Sequence, residues 1–169
     1  MYEGETEQKK VSNTRRALDA LEPERPLVLI VEDDPDLGAF LCCWLEGHGL
    51  KAVAVEGGIE ALSLLDKFRP DLMVTDLAMP RFSGLELIHE VKQRAELAEL
   101  PIVAITAYRG NYLQDALSAG ANVVLRKPED FDLLPETIYD LLWPGHQPQQ
   151  PNEASPQEPY LTFENRAHS

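Results

Sequence analysis

The segment VLIVEDDPDL (residues 28–37) places a buried-looking apolar run directly before a block of acids that begins with Glu32 and Asp33. Carboxylates crowded at one strand end repel one another, and a cation among them relieves that repulsion. Three further side chains that could bind a ligand or take part in a reaction also stand at the ends of short apolar runs: Asp76, Thr106 and Lys127. Two or three carboxylates, a hydroxyl and an ammonium group are what a magnesium ion and a phosphoryl group require.

Each of these residues also has an ordinary structural interpretation. An acid after a strand is commonly a solvated turn residue or a helix cap. Thr106 is a typical strand residue, and Lys127 before Pro128 is typical of a surface. Asp34 is the best candidate for a helix cap, with Pro35 at the first helical position. The functional interpretation therefore depends on whether the remaining groups meet at one place in the fold.

Five short apolar runs, separated by stretches with helical periodicity, indicate how these residues are positioned. The predicted strands are LVLIV (27–31), LKAVAV (50–55), DLMVTD (71–76), PIVAIT (101–106) and NVVLR (122–126). Strands that are apolar on both faces and alternate with helices predict a parallel α/β sheet covered on both sides. Functional groups in such sheets gather at the carboxyl ends of the strands, so the acids, the hydroxyl and the lysine are expected to share one edge.

Four segments, VLIVEDDPDL, PDLMVTDLAMPRFSGLEL, PIVAITAY and GANVVLRKP, closely resemble the receiver domain of two-component response regulators. The resemblance extends over nearly all of residues 27–143. It implies a flavodoxin-like, doubly wound sheet of strand order 2-1-3-4-5, with Asp76 as the phosphoacceptor. It also implies a magnesium site made of Glu32, Asp33, Asp76 and the backbone carbonyl of Ala78. Thr106 and Lys127 are then expected to contact the phosphoryl oxygens.

The same resemblance implies a histidine kinase or phosphotransfer protein as the phosphoryl donor, and a protein as the downstream target. The formal net charge of −14 argues against direct binding of nucleic acid. No signal-peptide pattern and no apolar run long enough for a membrane span are apparent, so the cytoplasm is the expected location. The domain is expected to catalyse only its own modification and not to act as an enzyme on other molecules.

The chain divides by composition into three parts. Residues 1–26 form an N-terminal extension, predicted to be partly disordered, with one weak helical pattern, NTRRALDALEPE. Residues 27–143 form the receiver domain. Residues 144–169 form a Pro/Gln-rich tail predicted to be disordered. With no second folded domain expected after residue 143, the sequence predicts a stand-alone receiver that signals through protein contacts. Weak phosphorylation-driven dimerisation is expected because valine replaces the family's usual aromatic residue at position 124.

Two other classes fit the residues poorly. A haloacid-dehalogenase-type phosphatase needs a second carboxylate two residues after its nucleophile, and Ala78 occupies that position. A dinucleotide-binding domain needs a glycine-rich turn where this chain has EDDPDL. One alternative stays open, a receiver-like binding module that docks on partners without being phosphorylated. Phosphate incorporation separates it from a phosphoacceptor.

Several finer predictions concern residues around these motifs. Tyr108 and Ala78 match positions that border the path of the hydrolytic water in the family. The resemblance therefore implies that Tyr108 shields the acyl phosphate while Ala78 offers no side chain to orient water, which predicts a fairly long-lived phosphoryl group. Val124 stands where the family usually has Tyr or Phe, so a muted or relocated response is expected, carried by the loop around Tyr108 and Arg109. Cys42 and Cys43 are interpreted as packing residues, and the Lys127–Pro128 bond as cis.

Overall fold

The computed structural model describes residues 25–107 and 110–145, within which five strands alternate with five α-helices. The strands are β1 (Leu27–Val31), β2 (Lys51–Val55), β3 (Leu72–Asp76), β4 (Ile102–Thr106) and β5 (Val123–Arg126). The helices are α1 (Pro35–Gly47), α2 (Gly58–Leu65), α3 (Gly84–Gln93), α4 (Tyr112–Ala119) and α5 (Leu134–Leu142). The predicted strands and helices are confirmed to within a few residues at their ends.

The strands form one parallel sheet in the order β2-β1-β3-β4-β5, as predicted. The order reverses between β1 and β3, because β2 lies on one side of β1 while all later strands lie on the other. Such a reversal opens a crevice at the carboxyl ends of the two strands. Glu32 follows β1 and Asp76 ends β3, so both acids lie at this crevice.

The core has two layers, one on each face of the sheet, because alternate strand residues point to opposite sides. Leu29 and Met73 pack on the layer that holds α2, α3 and Ala116 of α4. Val28, Ile30 and Val74 pack on the layer that holds α1 and α5. The functional edge is thus supported from both faces.

Local sequence signals fix the helices that begin at the functional edge. The Asp34 side chain accepts hydrogen bonds from the backbone N–H groups of Asp36 and Leu37, which confirms it as the cap of α1. Ser83 caps α3 in a reciprocal capping box with Glu86. This capping lowers the pKa of Glu86, whose carboxylate accepts the backbone and side-chain hydrogen bonds of Ser83. Both loops that follow the acidic strand ends are therefore anchored.

The helical periodicity of DLLPETIYDLLW (132–143) predicts a single last helix, and the structure differs from this. Its first turn is a 3-10 helix, Phe131–Leu133, and α5 begins at Leu134. The residue four positions after Phe131 is Pro135, which has no N–H to donate to the Phe131 carbonyl. That carbonyl instead accepts from the N–H of Leu134, three residues on, which winds the turn more tightly.

The smaller predictions have mixed outcomes. The Lys127–Pro128 bond is cis, as expected. Val124 is partly buried against the core, consistent with a packing residue. Cys42 is also partly buried, but Cys43 is exposed, so the prediction that both pack was wrong. Leu41 and Leu45 set the core-facing side of α1, and Cys43, two residues from each at about 100° per residue, points away from that side.

Some predictions concern residues outside the described part of the chain. These are Tyr108 and Arg109, most of the N-terminal extension (residues 1–24) and the tail from residue 146. Among residues 25–107 and 110–145, no helix has the length and apolar character needed to cross a bilayer.

Candidate functional site

Lys127 lies at the centre of the acidic strand ends. Its Nζ donates hydrogen bonds to Asp76 Oδ2 at 2.6 Å and to Glu32 Oε2 at 2.7 Å. The three side chains are largely shielded, with relative exposures of 14% for Lys127, 10% for Asp76 and 2% for Glu32. One ammonium group therefore joins the carboxyl ends of β1 and β3 to the loop after β5.

Glu32, Asp33 and Asp76 each present a carboxylate oxygen, and these three oxygens lie within 4.8 Å of one another. Magnesium binds oxygen ligands at about 2.1 Å in an octahedron, so ligands opposite each other stand about 4.2 Å apart. The cluster therefore fits this ion with small adjustments, and Asp33, the exposed member, is the one free to make them. Three carboxylates facing one ammonium group also leave a negative excess that matches a divalent cation.

The pKa of the Glu32 carboxyl is raised, first because burial disfavours its charged form and also because Asp76 lies nearby. The hydrogen bond and charge of Lys127 lower this pKa but do not offset the burial. Burial lowers the pKa of the Lys127 ammonium group. The hydrogen bonds and charges of Asp76 and Glu32 raise this pKa by more than burial lowers it, so the net pKa is raised. Lys127 is thus held in its charged form.

Asp76 has both carboxylate oxygens engaged. Oδ2 accepts from Lys127, and Oδ1 accepts from the backbone N–H of Ala78 at 2.9 Å. These bonds fix the carboxylate at the end of β3, with 7% of the residue exposed. Ala78 lies beside the cluster as predicted, and the role of its carbonyl as a metal ligand stays a prediction.

Thr106 ends β4, the strand next to β3, and is fully buried. Its carbonyl accepts a hydrogen bond from the backbone N–H of Lys127 at 2.8 Å, which brings the ends of β4 and β5 together. The structure thus places all the predicted site residues at one edge of the sheet. Contact of Thr106 and Lys127 with phosphoryl oxygens stays a prediction.

The turn that carries Lys127 is closed by a pair of residues that the sequence analysis did not identify. Asp130 Oδ2 accepts from the backbone N–H of Arg126 at 3.0 Å and from its Nε at 2.9 Å, and Oδ1 accepts from Nη2 at 3.1 Å. The backbone N–H of Asp130 donates in return to the Arg126 carbonyl at 2.9 Å. The four-residue spacing of Arg126 and Asp130 was visible in the sequence, but it resembled a common surface pair.

The loop after Asp76 passes unusually close to the start of α3. A Cβ atom built on Gly84 would lie 2.0 Å from the carbonyl oxygen of Asp76 and 2.8 Å from the Cα of Leu77. The Gly84 N–H donates to the Leu77 carbonyl at 3.1 Å. The absence of a side chain at residue 84 therefore permits the backbone path that positions the acid.

Asp130→Asn is expected to destabilise the protein at neutral pH, with a difference that shrinks in acid. The pKa of Asp130 is lowered by the hydrogen bonds of the Arg126 side chain and backbone. A carboxyl group whose pKa is lower in the folded state stabilises the fold at pH values above its unfolded-state pKa of about 4. That stabilisation is lost as the pH falls through the folded-state pKa. Urea unfolding of both proteins between about pH 2 and pH 7 measures this.

The matched control for that series is Asp132→Asn, which removes an exposed acid from the adjoining 3-10 helix. Its stability should follow that of the native protein at every pH. A constant difference between Asp130→Asn and the native protein across the whole range would contradict the assigned ion pair.

The geometry at this edge can be compared with known proteins. A sequence model of the response regulator receiver domain matches residues 28–139. The chain belongs to this family. The acids at the ends of β1 and β3 and the lysine after β5 belong to the motifs that carried the resemblance, and the sheet order is the one that the resemblance implied.

Three similar proteins illustrate the relationship. The regulator of RpoS from Escherichia coli (strain K12) is 35% identical over 119 residues, which cover 70% of this chain and 35% of that protein. An uncharacterized 14.6 kDa protein in the sodA1 3' region of Leptolyngbya boryana is 42% identical over 104 residues, covering 61% of this chain and 79% of that protein. The crystal structure of a response regulator receiver protein from Pseudomonas putida superposes with a TM-score of 0.65 at 32% identity, covering 70% of this chain and 98% of that one.

These matches place the receiver domain in two-component signalling and support the fold in full. The matched segment spans only 35% of the length of the Escherichia coli relative. What that whole protein regulates is therefore a property of that protein.

Proposed function

We propose that this receiver domain accepts a phosphoryl group on Asp76 from a histidine kinase or phosphotransfer protein, in a magnesium-dependent reaction. The observation that supports this most strongly is the Lys127 ammonium, held at 2.6 Å from Asp76 and 2.7 Å from Glu32 beside a three-carboxylate cluster. A nucleophilic carboxylate and positive charge are thus provided together.

The proposed reaction forms an acyl phosphate. An oxygen of the Asp76 carboxylate attacks the phosphorus of a phosphohistidine, the P–N bond breaks, and the imidazole leaves and takes up a proton. Both the carboxylate and the incoming group are anionic, so attack requires compensating positive charge. Lys127 supplies one charge, and its pairing with two carboxylates keeps the ammonium at the place where phosphoryl oxygens arrive.

The chain's own groups prepare the site in other ways. Glu32, Asp33 and Asp76 would hold a magnesium ion, which when bound adds positive charge and orients the phosphoryl group. The N–H of Ala78 fixes Asp76 Oδ1 and so limits rotation of the carboxylate. Thr106 stands at the neighbouring strand end, where its hydroxyl is proposed to contact a phosphoryl oxygen.

The output is proposed to be contact with another protein in the cytoplasm, and the domain's catalysis is limited to its own modification. The net charge of −14 supports a protein target over nucleic acid, because phosphate backbones repel an acidic partner.

Intact-mass analysis of the protein incubated with acetyl phosphate tests the proposed function. We expect a gain of one phosphoryl mass that requires magnesium. No gain in the presence of magnesium, in a protein shown to be folded, would favour the alternative of a binding module that is not phosphorylated.

Asp33→Ala is expected to weaken magnesium binding about tenfold or more, since even loss of an outer-sphere partner costs that much at metal sites. Removing one of the crowded carboxylates should at the same time leave thermal stability in metal-free buffer unchanged or raise it. Calorimetric titration with magnesium and a melting curve in chelator measure the two effects.

The control is Asp36→Ala, which removes an exposed acid on α1 that is outside the three-carboxylate cluster. Its magnesium affinity should match that of the native protein. Equal affinities for Asp33→Ala and the native protein would exclude Asp33 as a ligand.

A further inference from the structure

Five ring-bearing side chains form a continuous strip across α1 and α5, here called the aromatic band: Phe40, Trp44, His48, Tyr139 and Trp143. Phe40 stacks on Trp44 with ring centroids 6.0 Å apart, and the edge of His48 meets Trp44 at 5.6 Å. Tyr139 stacks on Trp143 at 5.3 Å. The Tyr139 hydroxyl donates to the His48 carbonyl, which joins the two halves of the band.

The band lies on the outer surface of the domain. Phe40 is 55% exposed, Trp143 40% and Tyr139 36%. The spacing of residues 40, 44 and 48 places their side chains on one face of α1, while Leu41 and Leu45 face the core. Trp44 is partly buried and also packs on the core beneath α1, while the rings on either side of it are exposed. Clustered exposed rings of this kind mark a site of interaction.

The N-terminal extension joins the domain at one end of this band. The carbonyl of Pro26 accepts a hydrogen bond from the N–H of Lys51 at 2.8 Å, and Lys51 is three residues after His48. The N–H of Leu27 donates to Asp71 at 2.7 Å, which further anchors the entry of the chain. The residues before Pro26 therefore start from the His48 end of α1.

The extension has a composition that complements the band. Lys9, Lys10, Arg15 and Arg16 stand within a stretch that has no acid from residue 8 to residue 18. Arginine and lysine bind the faces of exposed aromatic rings through cation–π contacts. Leu18 and Leu21 add apolar side chains at helical spacing. The ten residue-to-residue steps from Arg16 to Pro26 can extend about 33 Å, more than the roughly 20 Å length of a 13-residue helix such as α1.

Charge favours this N-terminal segment over two other possible occupants of the aromatic band, a second copy of the domain and the C-terminal segment. Exposed acids flank the band on both helices, among them Glu46 on α1 and Asp140 on α5. A second copy of the domain would bring the same acids against each other. The C-terminal segment from residue 146 contains three glutamates and one arginine, so it is disfavoured for the same reason.

We propose that the aromatic band is the docking surface for residues 9–21 of the same chain, which cover it through cation–π and apolar contacts. This inference concerns a surface separate from the carboxylate cluster, and it does not depend on phosphorylation.

The chain's two tryptophans, Trp44 and Trp143, both lie in the band, so intrinsic fluorescence reports on its accessibility. The experiment is acrylamide quenching of the full-length protein without any phosphoryl donor. Arg15→Glu/Arg16→Glu should raise the quenching constant about twofold, because reversed charge removes the cation–π contacts. Arg15→Lys/Arg16→Lys should leave the constant near the native value. High salt should raise quenching in the native protein and have little effect on the Glu variant.

Three outcomes would overturn the proposal. Equal quenching of the native and Arg15→Glu/Arg16→Glu proteins, both folded by circular dichroism, would show that the extension does not cover the band. An increase produced instead by Arg166→Glu would assign the cover to the C-terminal segment. Quenching that falls with protein concentration, together with a doubled mass by light scattering, would assign it to a second copy.

Discussion

Asp76→Asn should lose phosphoryl incorporation completely while keeping its fold. The amide has nearly the volume of the carboxylate, and its oxygen can still accept the N–H of Ala78, which now bonds Asp76 Oδ1 at 2.9 Å. It has no anionic oxygen, however, and is not a nucleophile for phosphorus. Lys127 retains Glu32 as a charged partner at 2.7 Å, so the site is not left with an unpaired ammonium.

Intact-mass analysis with acetyl phosphate and magnesium measures this loss, from near-complete labelling to none. Asp115→Asn is the matched control, because it makes the same chemical change at an exposed position on α4. It should be labelled like the native protein. Undiminished labelling of Asp76→Asn would show that the nucleophile is another residue.

Gly84→Ala adds one methyl group near the site, and among such substitutions we expect it to lower the free energy of unfolding most. The added Cβ would stand 2.0 Å from the Asp76 carbonyl oxygen and 2.8 Å from the Leu77 Cα. Both are backbone atoms, which cannot rotate aside as a flexible side chain does. We expect a destabilisation of about 1–3 kcal/mol, the usual cost of overpacking, in spite of the gain in helix propensity of about 1 kcal/mol. Because the strained segment carries Asp76, phosphoryl incorporation should slow as well.

Gly47→Ala supplies the control, since nothing lies within 4 Å of a Cβ built at that helical position. It should be neutral or slightly stabilising, because alanine restricts the unfolded chain and favours helix. Urea unfolding of the two variants compares them directly. Equal stability of Gly84→Ala and Gly47→Ala would mean that the loop after β3 relaxes without cost and does not hold Asp76 in place.

The positions of the strands were predictable because each is a short apolar run, and apolar residues on both faces specify a parallel sheet with helices on each side. That topology also predicted that Glu32, Asp76 and Thr106 would share one edge, since carboxyl ends of parallel strands meet there. The sheet order itself came from the family resemblance, because periodicity does not determine which strands pair.

Other features of the site depend on three-dimensional contacts that leave weak sequence signals. The pairing of Lys127 with Glu32 joins residues 95 positions apart, and no local pattern indicates it. The need for glycine at residue 84 has no local sequence signal, because the close approach of the Asp76 carbonyl depends on the path of the loop. The bonds from Arg126 to Asp130 resembled an ordinary surface pair until the turn carrying Lys127 was seen between them.

The aromatic band shows a related limit of the hydrophobic pattern. Phe40 and Trp44 lie within an apolar stretch of α1 whose core-facing residues are Leu41 and Leu45. A large aromatic residue next to a core position is normally taken as part of the core. Here Trp44 is partly buried against the core, whereas Phe40, one turn earlier, is exposed, so the apolar surface of α1 extends beyond the part that the sheet covers.

Direct chemical location of the phosphoryl group tests the central claim. Borohydride reduces an acyl phosphate on aspartate to an alcohol, so treating the labelled native protein and mapping its peptides by mass spectrometry identifies the modified residue. We predict that the alcohol appears at residue 76 alone, and only after incubation with both acetyl phosphate and magnesium. Reduction located at Asp33 or at any other carboxylate, or a labelled protein with residue 76 unmodified, would contradict the account.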